Sequence, residues 1–527
     1  MLDKPNLSEA IVTASEAVGV ADAEAGPPLL RAGRLRPSRV TKPFALSFLL
    51  TLAAYVAARV WDLTSYGLFS DEIFSVWVAG NGWRELMALV VEDVVHPPLF
   101  YLLLKAWVLA GGDSLLWMKL FPVTLSVAAI IPFFLLCREL KLKAAAINLA
   151  FALMAVNEYL ITYSQELRMY SLLMLLTLAS IWLFAAFFNA PTPASGTHAA
   201  LLAANLLLVY THYYGWLVVG VEFLSLLLWN REKLPAFSLS LAALFACFIP
   251  WAYAVSQAAV KKGGLSGNLG WNRPPDFEHF SFYFAVLAGG LEERWKYFGA
   301  NLDRMVSVFP KLALLFSLPV LLWGWRATRR AKGRPESVTF WWLAALSFLP
   351  AIISFWASRA LPHSIWAVRY LIISAPPFML LLAAACMKLD LKWLRATTAV
   401  LLLGWSALSG FVQMSHRDAV AYEPIARRLM GSESERPAAT KIYTDNYNMA
   451  STLNFYLEKA DDKVLRAAWV NDYSEAGGDQ FWVAFMKYAP EAQEEIEAEF
   501  KNRGYEVSEG FKVEAFTYEV VLLRVAR

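Results

Sequence analysis

Charge is the first thing this sequence is short of: only 17% of its 527 residues are Asp, Glu, Lys or Arg, against 58% hydrophobic and 14% aromatic residues, and the mean hydropathy is +0.44. A water-soluble chain of this length carries nearer a quarter charged residues. Cysteine is also scarce. Cys137, Cys247 and Cys386 lie far apart in or beside apolar runs, which excludes a disulfide framework and a Cys-based metal site, and suits small buried hydrophobes. The net charge of +3 is too small to imply a nucleic-acid partner.

What the chain has instead is apolar runs near twenty residues long, the length that crosses a hydrocarbon layer of about 30 Å. Backbone groups in such runs must be satisfied within the segment, so they are helices. The expected fold class is an α-helical polytopic membrane protein with about eleven transmembrane helices and a small soluble α/β domain at the C-terminus. The spans fall at roughly 44–61, 115–137, 144–162, 170–188, 200–214, 215–229, 237–256, 307–325, 339–356, 369–388 and 395–413. No internal repeat or two-half symmetry marks them.

Residues 1–42, Ala/Glu-rich and then basic through Arg31, Arg34, Arg36, Arg39 and Lys42, read as a disordered cytoplasmic tail with no cleavage site. The apolar segment Pro97–Gly111 is about fifteen residues long, below the spanning range, and reads as an interfacial helix. With that segment not crossing, the basic loops (Arg138/Lys141/Lys143, Arg231/Lys233, Arg326–Arg334, Lys388–Arg395) all fall on the side of the basic tail, as the positive-inside rule requires. The other face then receives loops 62–114, 163–169, 257–306 and 357–368 and the domain 414–527. In that domain Lys441–Thr444, Gln480–Phe485 and Thr517–Val525 read as strands, and Ala450–Glu458 and Pro490–Arg503 as amphipathic helices.

The outer loops hold ionisable residues that a membrane protein keeps for a reason. In Gly67-Leu-Phe-Ser-Asp-Glu-Ile-Phe-Ser75, Ser70 can cap a helix with Asp71 and Glu72 in its first turn; the chemical alternative is a carboxylate acting as general base. His96-Pro97-Pro98 reads as a helix start, whose positive end suits an anion such as phosphate, or merely as an interfacial histidine. In Asn157-Glu158…Ser164-Gln165-Glu166-Leu-Arg168-Met-Tyr170, helical spacing puts Glu166 beside Tyr170 and Ser164 beside Arg168. Glu166 and Arg168 are either an ion pair or a cation-binding carboxylate and a phosphate-facing arginine. Tyr210-Thr-His212-Tyr-Tyr214 closes a span with an aromatic belt that does not account for His212. Trp271-Asn-Arg273-Pro-Pro lies in the long loop, and Arg359, His363, Trp366, Arg369 and Tyr370 cluster at a re-entry point where positive charge favours an anionic headgroup.

In this order the motifs resemble the GT-C glycosyltransferases, in particular bacterial members related to protein O-mannosyltransferases (glycosyltransferase family 39) and lipid A aminoarabinose transferases. The likeness covers most of residues 44–414. It implies transfer of a sugar from a polyprenyl-phosphate donor to a lipid, glycan or protein acceptor at the outer, periplasmic face of a bacterial cytoplasmic membrane, with inversion. Asp71 would be the base, with Glu72 beside it. His96, Arg168, Arg369 and Tyr370 would meet the donor phosphate, and Gln165, Glu166, Tyr170, His212 and His363 would bind substrate or a cation. His96 stands where the aminoarabinose enzymes have a phosphate-contacting lysine, a departure because a histidine is only partly charged near neutrality. No strong metal-ligand set is evident, so a divalent metal stays open. The rival readings are a transporter or flippase of a lipid-linked saccharide, which would need charged or helix-breaking residues at mid-membrane, and a non-catalytic scaffold. On this reading the spans keep their unusual residues at the outer ends, which favours surface chemistry.

Overall fold

The computed structural model describes residues 42–65, 67–261, 274–287, 317–329, 335–415, 422–431, 441–459, 465–487, 491–514 and 519–527. The basic tail, Trp271–Arg273 and most of the loop 257–306 lie outside these residues. The chain is a helical membrane protein carrying a small C-terminal sheet domain.

Helix α1 (Lys42–Val60) is followed by two short helices, α2 (Ser70–Gly80) and α3 (Trp83–Asp93), and by α4 (Leu99–Gly111). Pro98 precedes α4, where its missing N–H costs no hydrogen bond. Helices α5 (Leu115–Ala128) and α6 (Ile130–Glu139) form one span, and α7 (Ala144–Val156) and α8 (Glu158–Gln165) are two halves of another, bent by 56°. Asn157 makes that bend. Its extended backbone ends α7, its side-chain oxygen accepts from Leu160 N at 3.1 Å to begin α8, and its amide donates to Leu287 O at 3.2 Å.

The spans continue as α9 (Tyr170–Asn189), α10 (Ser195–Thr211), α11 (Gly215–Trp229) and α12 (Leu234–Lys261). Next come the short α13 (Phe277–Leu287), α14 (317–329), α15 (Pro335–Ala360), a 3-10 turn Val368–Ser374 leading into α16 (Ala375–Met387), and α17 (Lys392–Ser415). The expected spans within the described residues fall on helical segments, but 144–162 is broken at Asn157 and 369–388 begins in the 3-10 turn. Among the described residues six helical segments are long and apolar enough to cross a membrane alone, seven with the bent pair counted as one. Helices α10 and α11, at 17 and 15 residues, fall short of that length. The span at 307–325 lies partly outside the described residues.

Polar side chains staple the bundle. Arg59 is fully buried: its guanidinium donates to Ser126 Oγ (3.0 Å), Tyr55 O (3.1 Å), Ala155 O (3.2 Å) and Met154 O (3.0 Å). A cation is thus set among the free carbonyls ending α7, where the helix dipole is negative. One expectation fails here. Glu222 sits in the middle of α11, fully buried, rather than at a span end, and bonds Ser180 Oγ of α9 (2.7 Å) and Asn205 Nδ2 of α10 (2.8 Å).

Helix α18 (Tyr422–Gly431) opens the C-terminal domain, followed by β1 (Lys441–Thr444), α19 (Tyr447–Lys459), β2 (Arg466–Trp469), β3 (Gln480–Lys487), α20 (Glu491–Asn502), β4 (Glu506–Glu514) and β5 (Glu519–Ala526). The sheet order is β2-β1-β3-β5-β4, with β1 parallel to β2 and β3 and the remaining pairs antiparallel. Both faces are covered. Phe481, Val483 and Phe485 pack with Phe500 of α20, while Trp482 and Ala484 join Leu453 of α19, Ile425 of α18 and the main core. Burial on two sides explains why β3 reads as a continuous apolar run rather than an alternation.

Candidate active site

The first turn of α2 carries the two adjacent acids, and the fold separates their environments. Glu72 is 1% exposed. Its Oε1 accepts from Lys119 Nζ of α5 and from Leu167 N, each at 2.6 Å, and its Oε2 accepts from Phe69 N at 3.2 Å. Phe69 is therefore the N-cap residue and Ser70 the first residue of the helix, and the cap is made by the Glu72 side chain rather than by the serine. Asp71 points the other way. Its side chain is 38% exposed, and its Oδ2 lies 3.6 Å from Arg369 Nη1.

Arg168 sits beneath Asp71 and is 4% exposed. Its Nη1 donates to Asp71 O (2.9 Å) and to Ser75 Oγ (3.0 Å), and Ser75 Oγ donates in turn to Asp71 O (3.0 Å). One arginine thus fixes the backbone that presents the exposed carboxylate. The helical spacing expected through 164–170 does not occur. Helix α8 stops at Gln165, and Glu166 adopts an extended conformation. The cause is tethering on both sides of the break: Gln165 Nε2 donates to Ala58, Arg59 and Trp61 carbonyls (3.3, 3.0 and 3.0 Å) at the end of α1, and Leu167 N is held by Glu72. Gln165 accordingly caps a helix end instead of facing Asp71.

The half-buried Glu166 has its carboxyl pushed up to about 8, first by burial and then by the Glu72 carboxylate, against the opposing pull of Arg369 and Lys119. Tyr170 is buried at the start of α9 against Tyr163, ring centroids 4.9 Å apart.

His96 and His212 come from distant loops to lie with centroids 5.4 Å apart, both flanking Tyr370 at 5.8 and 4.4 Å. Both are almost fully buried. His212 Nδ1 accepts from Tyr214 N (3.1 Å). The Nε2 atoms of both rings are buried with no hydrogen-bond partner among the described residues, and the Tyr101 hydroxyl and Arg168 Nε meet no group beyond each other, the kind of deficit that a bound polar ligand would meet. Burial, helped by Arg168 and Arg369, holds His96 well below its usual range, so it is neutral here rather than a cation. The Arg369 guanidinium lies 5.5 Å from the Tyr370 ring centroid. His363, half-buried in the loop after α15, makes no hydrogen bond, ion pair or ring contact to this group among the described residues.

Among the described residues no group of three His, Cys, Asp or Glu side chains is gathered closely enough to hold a metal ion. The open histidine nitrogens share their surroundings with two arginines, which suits an anion and opposes a cation. Sequence reasoning passed over Lys119 and Tyr101. Lys119 had a signal, a charge inside an apolar run; Tyr101 had none, being one aromatic in an apolar helix.

No sequence-family model matches the chain, and no curated protein matches it by sequence. Its architecture is similar to that of ArnT from Cupriavidus metallidurans, both bound to undecaprenyl phosphate and in the apo state: the TM-score is 0.53 and the identity 13% in each case, over 91% and 92% of this chain and 97% and 98% of ArnT. This chain has the GT-C fold. An Archaeoglobus fulgidus oligosaccharyltransferase tethered to an acceptor peptide is also similar, with a TM-score of 0.50 and 12% identity over 81% of this chain and 64% of that one.

Proposed function

We propose that the chain is a membrane glycosyltransferase that moves a sugar from a polyprenyl-phosphate-linked donor to an acceptor hydroxyl at the outer face of a bacterial cytoplasmic membrane. The observation that carries this reading is the pairing of an exposed carboxylate, Asp71, with Arg369 at 3.6 Å, beside Arg168 and two histidines whose Nε2 atoms have no partner among the described residues. That arrangement offers a base and an anion cradle side by side.

Asp71 takes the proton of the acceptor hydroxyl as its oxygen bonds to the anomeric carbon. The bond from that carbon to the phosphate oxygen breaks, and the electron pair leaves with polyprenyl phosphate. Arg168, Arg369, His96 and the Tyr370 hydroxyl meet the departing charge, in a site where donors fixed beforehand need no reorganisation. A single displacement inverts the anomeric centre. Glu72, with both oxygens engaged, positions Asp71 rather than reacting. His212 and Tyr101 complete the cradle, while Glu166 and Tyr170 line its approach. Undecaprenyl phosphate bound to the ArnT of similar fold supports a polyprenyl-phosphate ligand.

Glu222 is the observation that would favour a transporter. Its bonds with Ser180 and Asn205 close on themselves, however, since Ser180 Oγ is also 2.6 Å from Asn205 Oδ1. Each polar side-chain atom of the trio thus has a partner inside the bundle, as a structural contact between helices requires.

The deciding experiment compares lipids and envelope glycans by mass spectrometry in cells with the protein, without it, and with Asp71→Asn. Loss of one sugar from one acceptor in both deficient strains supports the transferase; an unchanged profile in the Asp71→Asn strain overturns it.

A further inference from the structure

The C-terminal domain touches the chain three residues ahead of Asp71. Tyr456 of α19 is 5% exposed, and its hydroxyl accepts from Leu68 N at 2.5 Å and donates to Leu68 O at 3.3 Å. The phenol reaches this backbone because the preceding residue has no side chain: a Cβ on Gly67 would lie 2.1 Å from the Tyr456 oxygen and 2.9 Å from Cζ. Leu68 is itself 3% exposed.

The next residue, Phe69, is the N-cap of α2. Its carbonyl accepts from Glu72 N and Ile73 N, both at 2.9 Å, and its own N–H goes to the Glu72 carboxylate. Any movement at Leu68 therefore passes directly into the turn that holds Asp71. On the bundle side this turn is anchored by Lys119 through Glu72 and by Arg168 through Asp71 O. On the domain side it is anchored by Tyr456. The sheet stands behind that contact, since Asn454 of α19 both donates to Ala467 O and accepts from Ala467 N of β2 at 2.8 Å.

We infer that Tyr456 is a positioning residue, and that the soluble domain is part of the transfer machinery because it fixes the start of the helix bearing the base. This rests on the transferase reading and adds to it a role for the domain. A side chain that holds the backbone beside a reacting group sets where that group points, and misplacement by about 1 Å can cost about a hundredfold in rate.

The test uses the full-length protein and three variants: Tyr456→Phe, which removes only the hydroxyl; Gly67→Ala, which crowds it; and Tyr505→Phe, a hydroxyl loss on the far face of the same sheet. Turnover is followed as the product that the mass-spectrometric comparison defines, on membranes from cells lacking the protein. Undecaprenyl phosphate is the binding probe for the purified variants. Tyr456→Phe is expected to lower turnover by about tenfold and to speed amide exchange at residues 68–73, with probe affinity unchanged and melting temperature lowered only as the loss of one buried hydrogen-bonding hydroxyl requires. Gly67→Ala should do the same more severely, and Tyr505→Phe should do neither. Turnover of Tyr456→Phe within twofold of the parent overturns the inference, as does a joint fall in turnover, probe affinity and melting temperature, which is the mark of a packing role alone. If Asp71→Asn also retains product, the transferase reading has failed; if Asp71→Asn is dead while Tyr456→Phe is not, only the positioning role has.

Discussion

The Lys119 ammonium and the Glu72 carboxylate meet at 2.6 Å with side chains 6% and 1% exposed, so each is the other's means of staying charged out of water. Breaking such a pair leaves a lone buried charge. Lys119→Met or Glu72→Gln alone should cost about 3–5 kcal/mol of stability, whereas replacing both partners with apolar residues should cost far less. Thermal denaturation in detergent across this double-mutant cycle measures the difference.

Asp71→Asn should fold as the parent does, because Arg168 and Ser75 bind the Asp71 carbonyl and not its side chain. Turnover should fall by about 10²–10⁴, the usual contribution of general-base catalysis. A melting temperature matching the parent, together with quantified product, checks both halves.

Arg168→Lys should be damaging despite keeping the charge. Nη1 serves Asp71 O and Ser75 Oγ while another part of the same guanidinium meets the Tyr101 hydroxyl, and a single ammonium cannot occupy both positions. Titration with undecaprenyl phosphate should show affinity reduced by about tenfold or more, with turnover reduced in step.

Glu166 predicts a pH dependence. Its carboxyl is raised from an ordinary 4.5 to about 8 in the folded protein, so between these values the native state holds a proton that the unfolded chain has released. Stability associated with this group is therefore full below about pH 4.5 and declines as pH rises through about 8. Glu166→Gln should match the parent at pH 5 and exceed its melting temperature at pH 8.5. A parent and variant that stay parallel across that range would remove the effect.

The ring in the bundle fixes a proton count. Ser180 has one hydrogen but two acceptors, Asn205 Oδ1 at 2.6 Å and Glu222 Oε1 at 2.7 Å, so the second hydrogen comes from a protonated Glu222. Glu222→Gln supplies a hydrogen at the same place and should be close to neutral. Glu222→Ala strands Asn205 and should cost about 1–3 kcal/mol. Melting temperatures of the two variants separate these outcomes.

The spans were legible because a bilayer imposes length and polarity on any sequence that crosses it. Strands β1, β3 and β5 showed as compact apolar runs, but β4, exposed along Glu506–Glu514 with a register shift at Glu509/Phe511, shows no clean alternation. At the site, Asp71, Arg168, Arg369, His96 and His212 were each visible as polar residues at span ends, and the structure brings them together. What the sequence could not show was direction. Asp71 and Glu72 are neighbours of one chemistry, and only Lys119 and Leu167 decide which of them is buried. Gln165 was read as facing substrate because its contact with the end of α1 spans over a hundred residues. Glu222 was overlooked as one polar residue in a long apolar stretch.

The bend at Asn157 has leverage out of proportion to its size. Helix α8 has eight residues, about 12 Å of rod, so turning it by 56° shifts its far end by about 11 Å relative to a straight continuation of α7. A single asparagine thereby sets where the Glu166–Arg168 stretch emerges, and it emerges where Arg168 can reach the Asp71 carbonyl.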